Sequence, residues 1–262
     1  RPHKDWECFK KSGEKLPECF SKTKRINVKI EGRLNSCFKP CFLIGFPAFF
    51  RRVSFIMSRR KTLVLATHNI HKQTEMKFIL SRLGVTVIGL DQFPEIKSIE
   101  ETGTTLIENA LIKARTVHEL TGLPSLADDT GLEVDALNGA PGVYSARFAG
   151  EDATFEDNVN KMLIALKGIP FDKRRARFRT VLAFVDSDSE LSEDGVIEGR
   201  ILNKARGKDG FGYDPIFQPK SYDITFAEMT SEEKNRISHR ARALDKMKKI
   251  LKTYFEKGEF IE

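Results

Sequence analysis

Two adjacent aspartates in the middle of the chain constrain its fold more than any other feature. Residues 125–131 are Ser-Leu-Ala-Asp-Asp-Thr-Gly, so Asp128 and Asp129 end an apolar run and a glycine follows two residues later. Neighbouring side chains of a strand point to opposite faces, so the two carboxylates cannot share one core, and at least one must face a cleft or the solvent. Carboxylates at the end of a buried strand often serve α/β proteins as metal ligands or general bases. The alternative is a polar turn, which this stretch favours when it is considered alone.

The hydrophobic pattern around the aspartates alternates between strand and helix signals, which predicts an α/β protein. Short apolar runs predict strands at 62–67, 85–90 and 123–127. Apolar residues at helical spacing predict helices at 70–83, 105–120 and 155–166, with Lys113 on the polar side of the second. An alternating run predicts a long strand at 176–186, paired antiparallel with 195–201 across an acidic loop at 187–194. A capping box at 230–233 predicts a helical region that continues to Phe255.

Charge and cysteine content divide the chain into two parts. Residues 1–56 hold 13 Lys and Arg against 5 Asp and Glu, whereas residues 57–262 hold 31 against 32. All four cysteines lie in the first part. We therefore interpret residues 1–56 as a basic, cysteine-containing extension that is poorly ordered or not part of the functional protein. The functional domain is then 57–262, beginning at Met57.

The same composition argues against several functional classes. A net charge of −1 over residues 57–262 makes nucleic-acid binding an improbable main function. The longest apolar run of the extension, residues 41–50, is too short to span a bilayer, so we expect no membrane partner. A domain without cysteines fits a cytoplasmic protein.

Polar residues after the first predicted strand form a candidate anion site. The strand is followed by Thr67, His68 and Asn69, and Lys72 lies in the first turn of the next helix. Exposed N–H groups at a helix start, together with a lysine, attract phosphate. The alternative is an ordinary connection with a solvated lysine. The chain contains no P-loop motif.

Three further segments carry residues suited to nucleotide chemistry. The acidic loop Glu100-Glu101 could supply a third carboxylate for a hard cation, or simply be solvated. The loop at 207–217 has three glycines and the rings of Phe211 and Tyr213, which suits stacking on a flat heterocycle or a structural turn. The third segment holds cations and an imidazole suited to phosphates or base edges, although each could also lie on a solvated helix face: Lys234, His239 and Arg240.

The order of these motifs is similar to that of a known family. Thr-x-Asn-x-x-Lys, Glu-Glu-Thr-Gly, Ala-Asp-Asp-Thr-Gly, Gly-Ala-Pro-Gly-Val-Tyr-Ser-Ala-Arg, Gly-Phe-Gly-Tyr-Asp-Pro-Ile-Phe and Ser-His-Arg follow one another between Lys61 and about Phe255. This region resembles the inosine triphosphate pyrophosphatase family. The resemblance implies an elongated α/β fold, in which a mixed twisted sheet flanked by helices forms two lobes around a central nucleotide-binding cleft. It also implies a homodimer and a Mg²⁺-dependent cut between the α and β phosphates of a purine nucleoside triphosphate.

The resemblance also assigns roles to individual residues. Asp129 matches the carboxylate that activates water, and Glu100 and Asp129 match positions associated with the metal. Thr130 matches a substrate contact. The remaining matches are substrate-binding positions, in the triphosphate turn (Thr67, His68, Asn69, Lys72), in the base and sugar pocket (Phe211, Gly212, Tyr213, Asp214) and in the segment that recognises the purine's oxo edge (Lys234, His239, Arg240). His68 departs from the family's usual glycine.

The sequence thus predicts an enzyme that hydrolyses the triphosphates of inosine, deoxyinosine and xanthosine. Donors such as Lys234, His239 or Arg240 would donate a hydrogen bond to a 6-oxo group and leave adenine's amino group mispaired. A site built on hydrogen bonds rejects a wrong partner strongly. The alternative is a nucleotide-binding or nucleic-acid-binding module without catalysis, which the basic extension prompts.

Overall fold

One mixed β-sheet organises residues 61–257, the part of the chain that the computed structural model describes. The predictions for residues 1–56, including the start at Met57, lie outside the described residues. Within them the sheet has seven strands: β1 (Thr62–Leu65), β2 (Thr86–Gly89), β3 (Ser125–Val134), β4 (Pro141–Gly142), β5 (Arg175–Val185), β6 (Glu190–Ile201) and β7 (Phe217–Pro219). The order is β2-β1-β3-β5-β6-β7, with β4 paired to β3. β1 is parallel to β2 and β3, and the other pairs are antiparallel.

Five α-helices flank this sheet, and one of them begins after Thr230, where the sequence predicts a capping box. They are α1 (Ile70–Leu80), α2 (Leu106–Thr121), α3 (Phe155–Ala165), α4 (Ser231–Ile237) and α5 (His239–Lys257), all within residues 61–257. The Asn69 side chain accepts hydrogen bonds from the first turn of α1, and Thr105, Thr154 and Thr230 form capping boxes. The predicted C-terminal helical region is divided in two because Ser238 is extended, with φ −63° and ψ 159°.

The two faces of the sheet bury different helices. On one face, α2 packs its alanines and Val117 against β-strand residues such as Ala127 and Val181. On the other face, α1 and α5 pack against Leu126, Leu182 and their neighbours. A third cluster joins α3 and the far ends of β3, β5 and β6 to Phe217 and Phe226. Residues 126 and 127 of β3 therefore face opposite sides, and this alternation continues into the aspartates.

The polar turn considered for Asp128 and Asp129 is wrong, because β3 runs without interruption through both residues. They pair with Leu182 and Val181 of β5. Gly131 also stays in the strand; a Cβ there would lie 2.6 Å from the carbonyl oxygen of Gly142, so the residue permits the close approach of β4. Both carboxylates are almost fully buried, at 0% and 5% exposure, so neither faces open solvent.

The predicted acidic loop before the second long strand is also wrong. β6 begins at Glu190 and pairs with Val185, so only residues 186–189 separate the two strands. Acidic residues can continue a strand where it lies at the surface, because their carboxylates remain hydrated there or form ion pairs. Glu190 does so with Arg115 of α2, at 2.6 Å.

The predicted fold class is confirmed: the chain is an α/β protein with a mixed sheet flanked by helices. The two-lobed arrangement around a cleft stays a prediction. Among residues 61–257, the structure contains no helix with the length and apolar character needed to cross a membrane.

Candidate active site

An opening in the sheet beside β3 locates the candidate site. β1 pairs with β3 only as far as Leu126, and β4 begins to pair at Leu132. Between these points, residues 127–131 have a strand neighbour only on the β5 side, within the described residues. The parallel strand β1 ends here, and its carboxyl end continues into the turn before α1, where α/β proteins commonly bind ligands.

Asp128 points toward α1 and α5 and is held by two cations. Its Oδ2 atom accepts hydrogen bonds from Arg240 Nε at 3.1 Å and Nη2 at 3.0 Å, and Lys72 Nζ lies 3.3 Å away. Burial acts to raise the pKa of Asp128, but Lys72 and Arg240 outweigh burial and hold the pKa well below its usual range. Thr130, two residues along the same face, donates to Asp128 at 3.2 Å and accepts from Arg240 at 3.2 Å. Asp128 is therefore a permanently charged anchor.

Asp129 points to the other face of the sheet, toward α2. Lys113 Nζ donates to its Oδ1 at 3.0 Å, and Asn109 Nδ2 lies 3.5 Å from its Oδ2. Burial raises the pKa of Asp129, and Lys113 opposes this shift without cancelling it. The two neighbouring carboxyls thus have pKa values shifted in opposite directions, which is the pattern expected when one supports the structure and the other exchanges a proton.

Glu101 joins this second cluster, whereas Glu100 does not. Lys113 Nζ donates to Glu101 Oε1 at 2.7 Å, and Arg147 lies 3.8 Å from Oε2. Glu100 is exposed, and no contact connects it with Asp129 among the described residues. Lys113 therefore connects Asp129 with Glu101, and not with the predicted metal residue Glu100, among the described contacts.

The residues around Lys113 fit a magnesium ion by their donor chemistry. Asp129 and Glu101 converge on the ammonium group of Lys113, so two carboxylates lie close to one point on this face of the sheet. Residues 61–257 hold no group of three or more His, Cys, Asp or Glu arranged for a metal. One or two carboxylates are sufficient, since Mg²⁺ keeps waters and takes further oxygens from substrate phosphates.

A chain of buried ion pairs connects Asp128 with the predicted base pocket. Glu75 of α1 accepts hydrogen bonds from Arg240 Nη1 and lies 2.9 Å from Lys234 Nζ. Lys234 in turn donates to Asp214 at 2.6 Å. Burial acts to raise the pKa of Glu75, but its two cations lower it. Lys234 keeps its charge despite burial, because Asp214 and Glu75 raise its pKa.

Residues of the predicted base pocket lie together at the end of this series of ion pairs. Asp214 accepts from the Phe211 backbone N–H at 2.8 Å, and Lys234 Nζ lies 4.7 Å from the centroid of the Phe211 ring. Gly212 has φ +61°, a conformation that favours glycine. Tyr213 points away from the loop: its buried hydroxyl donates to the Ser145 carbonyl at 2.9 Å, and burial raises its pKa.

His239 is buried among aromatic rings rather than exposed in the pocket. It stacks on Phe178 with 4.6 Å between ring centroids, and its Nδ1 atom has no hydrogen-bond partner within residues 61–257. Burial, reinforced by Arg240 and Lys234, lowers the pKa of His239 well below its usual value, so the imidazole is neutral.

The predicted triphosphate turn lies next to Asp128. Asn69 Oδ1 accepts from the N–H groups of His71 and Lys72 at 3.0 and 3.2 Å, and the Asn69 N–H donates to Thr67 Oγ1 at 3.2 Å. The exposed His68 ring lies 3.1 Å from the carbonyl oxygen of Lys97. Its imidazole thus contacts the segment that precedes Glu100 and Glu101.

Four residues of the site are not predicted as site residues from the sequence: Glu75, Asn109, Lys113 and Arg147. Lys113 was assigned to the polar side of its helix, which is wrong: it lies 8% exposed on the same face as Leu106, Ala110 and Val117. The signal available in the sequence was the spacing of Lys113 from these apolar residues, which places it on the apolar face of the helix. Asn109 shares that face, and nothing in the local pattern marked Glu75.

Comparisons with known proteins show which family the chain resembles. The profile of the Ham1 family matches residues 63–250. A protein named dITP/XTP pyrophosphatase from Thermoanaerobacter pseudethanolicus is 51% identical over 196 residues, which cover 74% of this chain and 99% of that protein. The structure of a HAM1 protein from Coxiella burnetii matches with a TM-score of 0.67 and 45% identity, covering 72% of this chain and 98% of the other. The Staphylococcus aureus Ham1 protein matches with a TM-score of 0.67 and 38% identity, covering 74% and 99%. The resemblance seen in the motifs is confirmed, and the chain belongs to the Ham1 family.

Proposed function

We propose that the protein hydrolyses the non-canonical purine nucleoside triphosphates ITP, dITP and XTP to the monophosphate and pyrophosphate, with Mg²⁺ as cofactor. As a Ham1 family member with relatives named dITP/XTP pyrophosphatase, the chain is an enzyme of the nucleoside triphosphate pyrophosphatase class. The observation that carries the proposal is the contrast between Asp128 and Asp129. One carboxyl anchors two cations, while its neighbour has a raised pKa beside Lys113 and Glu101.

The cations of the site are distributed as a nucleoside triphosphate requires. Lys72 and the N–H groups at the start of α1 supply positive potential at the end of β1, where phosphates would lie. Lys113 and Arg147 supply it on the Asp129 side. Lys234 and Arg240 lie nearer Phe211, at the base end.

Asp129 is suited to take a proton from the attacking water. The water oxygen forms a bond to the α phosphorus, the bond from that phosphorus to the bridging oxygen of the β phosphate breaks, and pyrophosphate leaves with the bonding electrons. The water's proton passes to Asp129, whose raised pKa makes it a stronger base than an ordinary aspartate. Lys113 holds the carboxylate in place and stabilises charge on the phosphates. Bound Mg²⁺, held by Asp129 and Glu101, would neutralise phosphate charge.

Selectivity for a 6-oxo purine follows from the donors at the base end. Lys234 has three N–H bonds, and Asp214 and Glu75 engage two of them. The third can donate to a 6-oxo group, while adenine would present an amino group in its place. Because Lys234 is buried, that mispairing cannot be relieved by water, and ATP is rejected.

Pyrophosphate release from a panel of purine triphosphates tests the proposal. We expect release from ITP, dITP and XTP that requires Mg²⁺, with kcat/KM for ATP lower by about 10³-fold or more. Equal turnover of ATP, or release of orthophosphate in place of pyrophosphate, would overturn it.

A further inference from the structure

Two arginines lie directly opposite each other near the ends of two neighbouring strands. Arg175 is the first residue of β5, and Arg200 is its partner in the antiparallel register of β6. Directly opposed side chains of an antiparallel pair share one face of the sheet, with Cβ atoms about 5 Å apart. Like charges in this position destabilise the sheet unless an anion neutralises them. We call Arg175 and Arg200 the arginine pair.

The next cross-strand position on the same face is matched in charge. Arg177 lies opposite Glu198, and its guanidinium contacts Glu133 at 2.5 Å and Asp135 at 3.4 Å. By contrast, neither member of the arginine pair forms an ion pair with a carboxylate in the described part of the chain. The sheet therefore neutralises one arginine of β5 and leaves two opposed arginines beside it without a counter-anion.

A cleft of about 540 Å³ lies over the arginine pair. Phe171 forms part of its wall, with a side chain that is 40% exposed, and Arg200 Cζ lies 5.3 Å from the centroid of the ring. A ring in this position holds the planar guanidinium by its face and leaves the N–H edge free for an anion. Gln218 of β7, which is neutral, is the other cross-strand neighbour of Arg200.

The acidic residues that line the cleft do not neutralise the arginine pair. Asp135 is engaged by Arg177, and Glu198 lies 3.9 Å from Lys220 Nζ. Asp223 is the one lining carboxylate without an ion pair among residues 61–257. A single carboxylate cannot balance two guanidinium groups, so the cleft keeps an excess of positive charge.

The cleft is separate from the candidate active site. Asp129 pairs with Val181 of β5, which lies six residues beyond Arg175 along the strand. A strand rises about 3.3 Å per residue, so the arginine pair begins about 20 Å from this pairing. A ligand at the arginine pair would therefore not occupy the position of the substrate.

We propose that the arginine pair binds the diphosphate group of a ligand, which is either free pyrophosphate or a nucleoside diphosphate. Each guanidinium presents a fork of N–H donors that matches one phosphate group, so two neighbouring forks match two linked phosphates. The cleft has the volume of a small-molecule site, for which about 300–1,000 Å³ is typical. This inference goes beyond the proposed function and does not depend on it, because no residue of the cleft belongs to the catalytic machinery.

Calorimetric titration of the full chain with inorganic pyrophosphate tests the inference on two single variants, Arg175→Gln and Arg200→Gln. Arg177→Gln is the charge-matched control, because it removes the same charge from the same face but from an arginine that carboxylates already neutralise. We expect one binding event of the wild-type chain to weaken by about tenfold or more in each single variant, through the loss of charge-assisted hydrogen bonds. The control should retain the wild-type affinity.

ADP and adenosine, titrated in the same way, distinguish the two sources of the diphosphate. Tighter binding of ADP than of pyrophosphate, lost in Arg200→Gln, would assign the site to nucleotides, and the reverse order would assign it to the free anion. Adenosine has no phosphate and should show no binding that depends on Arg200.

Equal affinities of the wild type and both single variants would overturn the site. An equal loss in Arg177→Gln would also overturn it, because binding would then follow general positive charge. Removing one of two opposed like charges should leave the melting temperature unchanged or raise it, and a lower value would contradict the argument from the strand register. Arg200→Gln should release pyrophosphate from ITP as fast as the wild type. Absence of ITP hydrolysis in the wild type, together with binding that depends on Arg200, would refute the proposed function alone.

Discussion

Two neighbouring carboxyls of one strand have pKa values shifted in opposite directions because their partners differ. Asp128 accepts hydrogen bonds from the Arg240 guanidinium and lies beside the Lys72 ammonium, and these cations lower its pKa. Asp129 contacts a single ammonium group, that of Lys113, and burial raises its pKa more than this cation lowers it. We expect Asp129→Asn to lower kcat by about 10³-fold, because the amide cannot accept the proton of water. Binding of inosine monophosphate, measured by calorimetry, should survive.

Asp135→Asn is the control for this change, because Asp135 is half-exposed at the end of the same strand and outside the site. Its kcat should equal that of the wild type. Near-normal turnover in Asp129→Asn would remove Asp129 from the role of base.

Burial of a neutral histidine makes stability depend on pH. The pKa of His239 is lowered in the folded chain and lies near 6.5 after unfolding, so below that pH the unfolded state binds the extra proton. Stability is therefore complete above pH 6.5 and falls with acidification, by at most about 1.4 kcal/mol per pH unit, until the folded pKa is reached. Urea unfolding between pH 7.5 and 5 measures this slope. His239→Gln should unfold with a smaller slope, and an equal slope in the two proteins would contradict the assignment.

At the scale of elements, α5 reaches the site because a glycine lets it approach β6. A Cβ on Gly195 would lie 2.1 Å from the carbonyl oxygen of His239 and 2.4 Å from the backbone nitrogen of Ala243. Gly195→Ala must therefore displace the helix start that carries Arg240. We expect it to lower the free energy of unfolding by about 1–3 kcal/mol and to lower kcat/KM as well.

Gly84→Ala is the control for the Gly195 prediction. An added Cβ meets nothing within 4 Å at Gly84, where only the φ of +69° is unfavourable. That variant should lose about 1 kcal/mol and keep wild-type kinetics. Urea unfolding and initial rates of pyrophosphate release measure both variants, and full activity of a folded Gly195→Ala would show that the helix start tolerates displacement.

Local pattern predicted the elements well but not the ends that depend on neighbouring strands. The helix after Thr230 begins where the predicted capping box indicates, since capping is local chemistry. β3 continues past Asp129 because β5 pairs with it along its whole length, and no local signal reports a distant partner. Lys113 was misassigned for a related reason: its burial depends on Asp129 and Glu101, which lie elsewhere in the sequence.

At the scale of the whole molecule, the basic excess and the described contacts of the site lie in different parts of the sequence. The contacts described for Asp128, Asp129 and the base pocket join residues within 61–257, while the basic excess lies in residues 1–56. We expect a truncated chain beginning at Met57 to keep kcat/KM for ITP within about twofold. Salt-dependent binding to duplex DNA by the full chain alone would assign that binding to the extension.

A truncated chain that fails to fold or loses its activity would contradict the proposed domain boundary. Pyrophosphate release and thermal unfolding, measured side by side on the full and truncated chains, distinguish these outcomes. The homodimer that the family resemblance implies stays a prediction, and size-exclusion chromatography with light scattering on both chains measures it.

The opposite orientation of Asp128 and Asp129 has an evolutionary consequence. A single residue inserted or deleted between Leu126 and Asp128 would move every following side chain of β3 to the opposite face of the sheet. Asp129 would then point toward Arg240 and Lys72, and Asp128 toward Lys113. We therefore expect insertions and deletions within residues 126–128 to abolish the site, whereas substitutions of individual side chains there can be tolerated. The hairpin at residues 186–189 follows the last paired residue of β5, so a residue gained or lost there changes no pairing between β3 and β5.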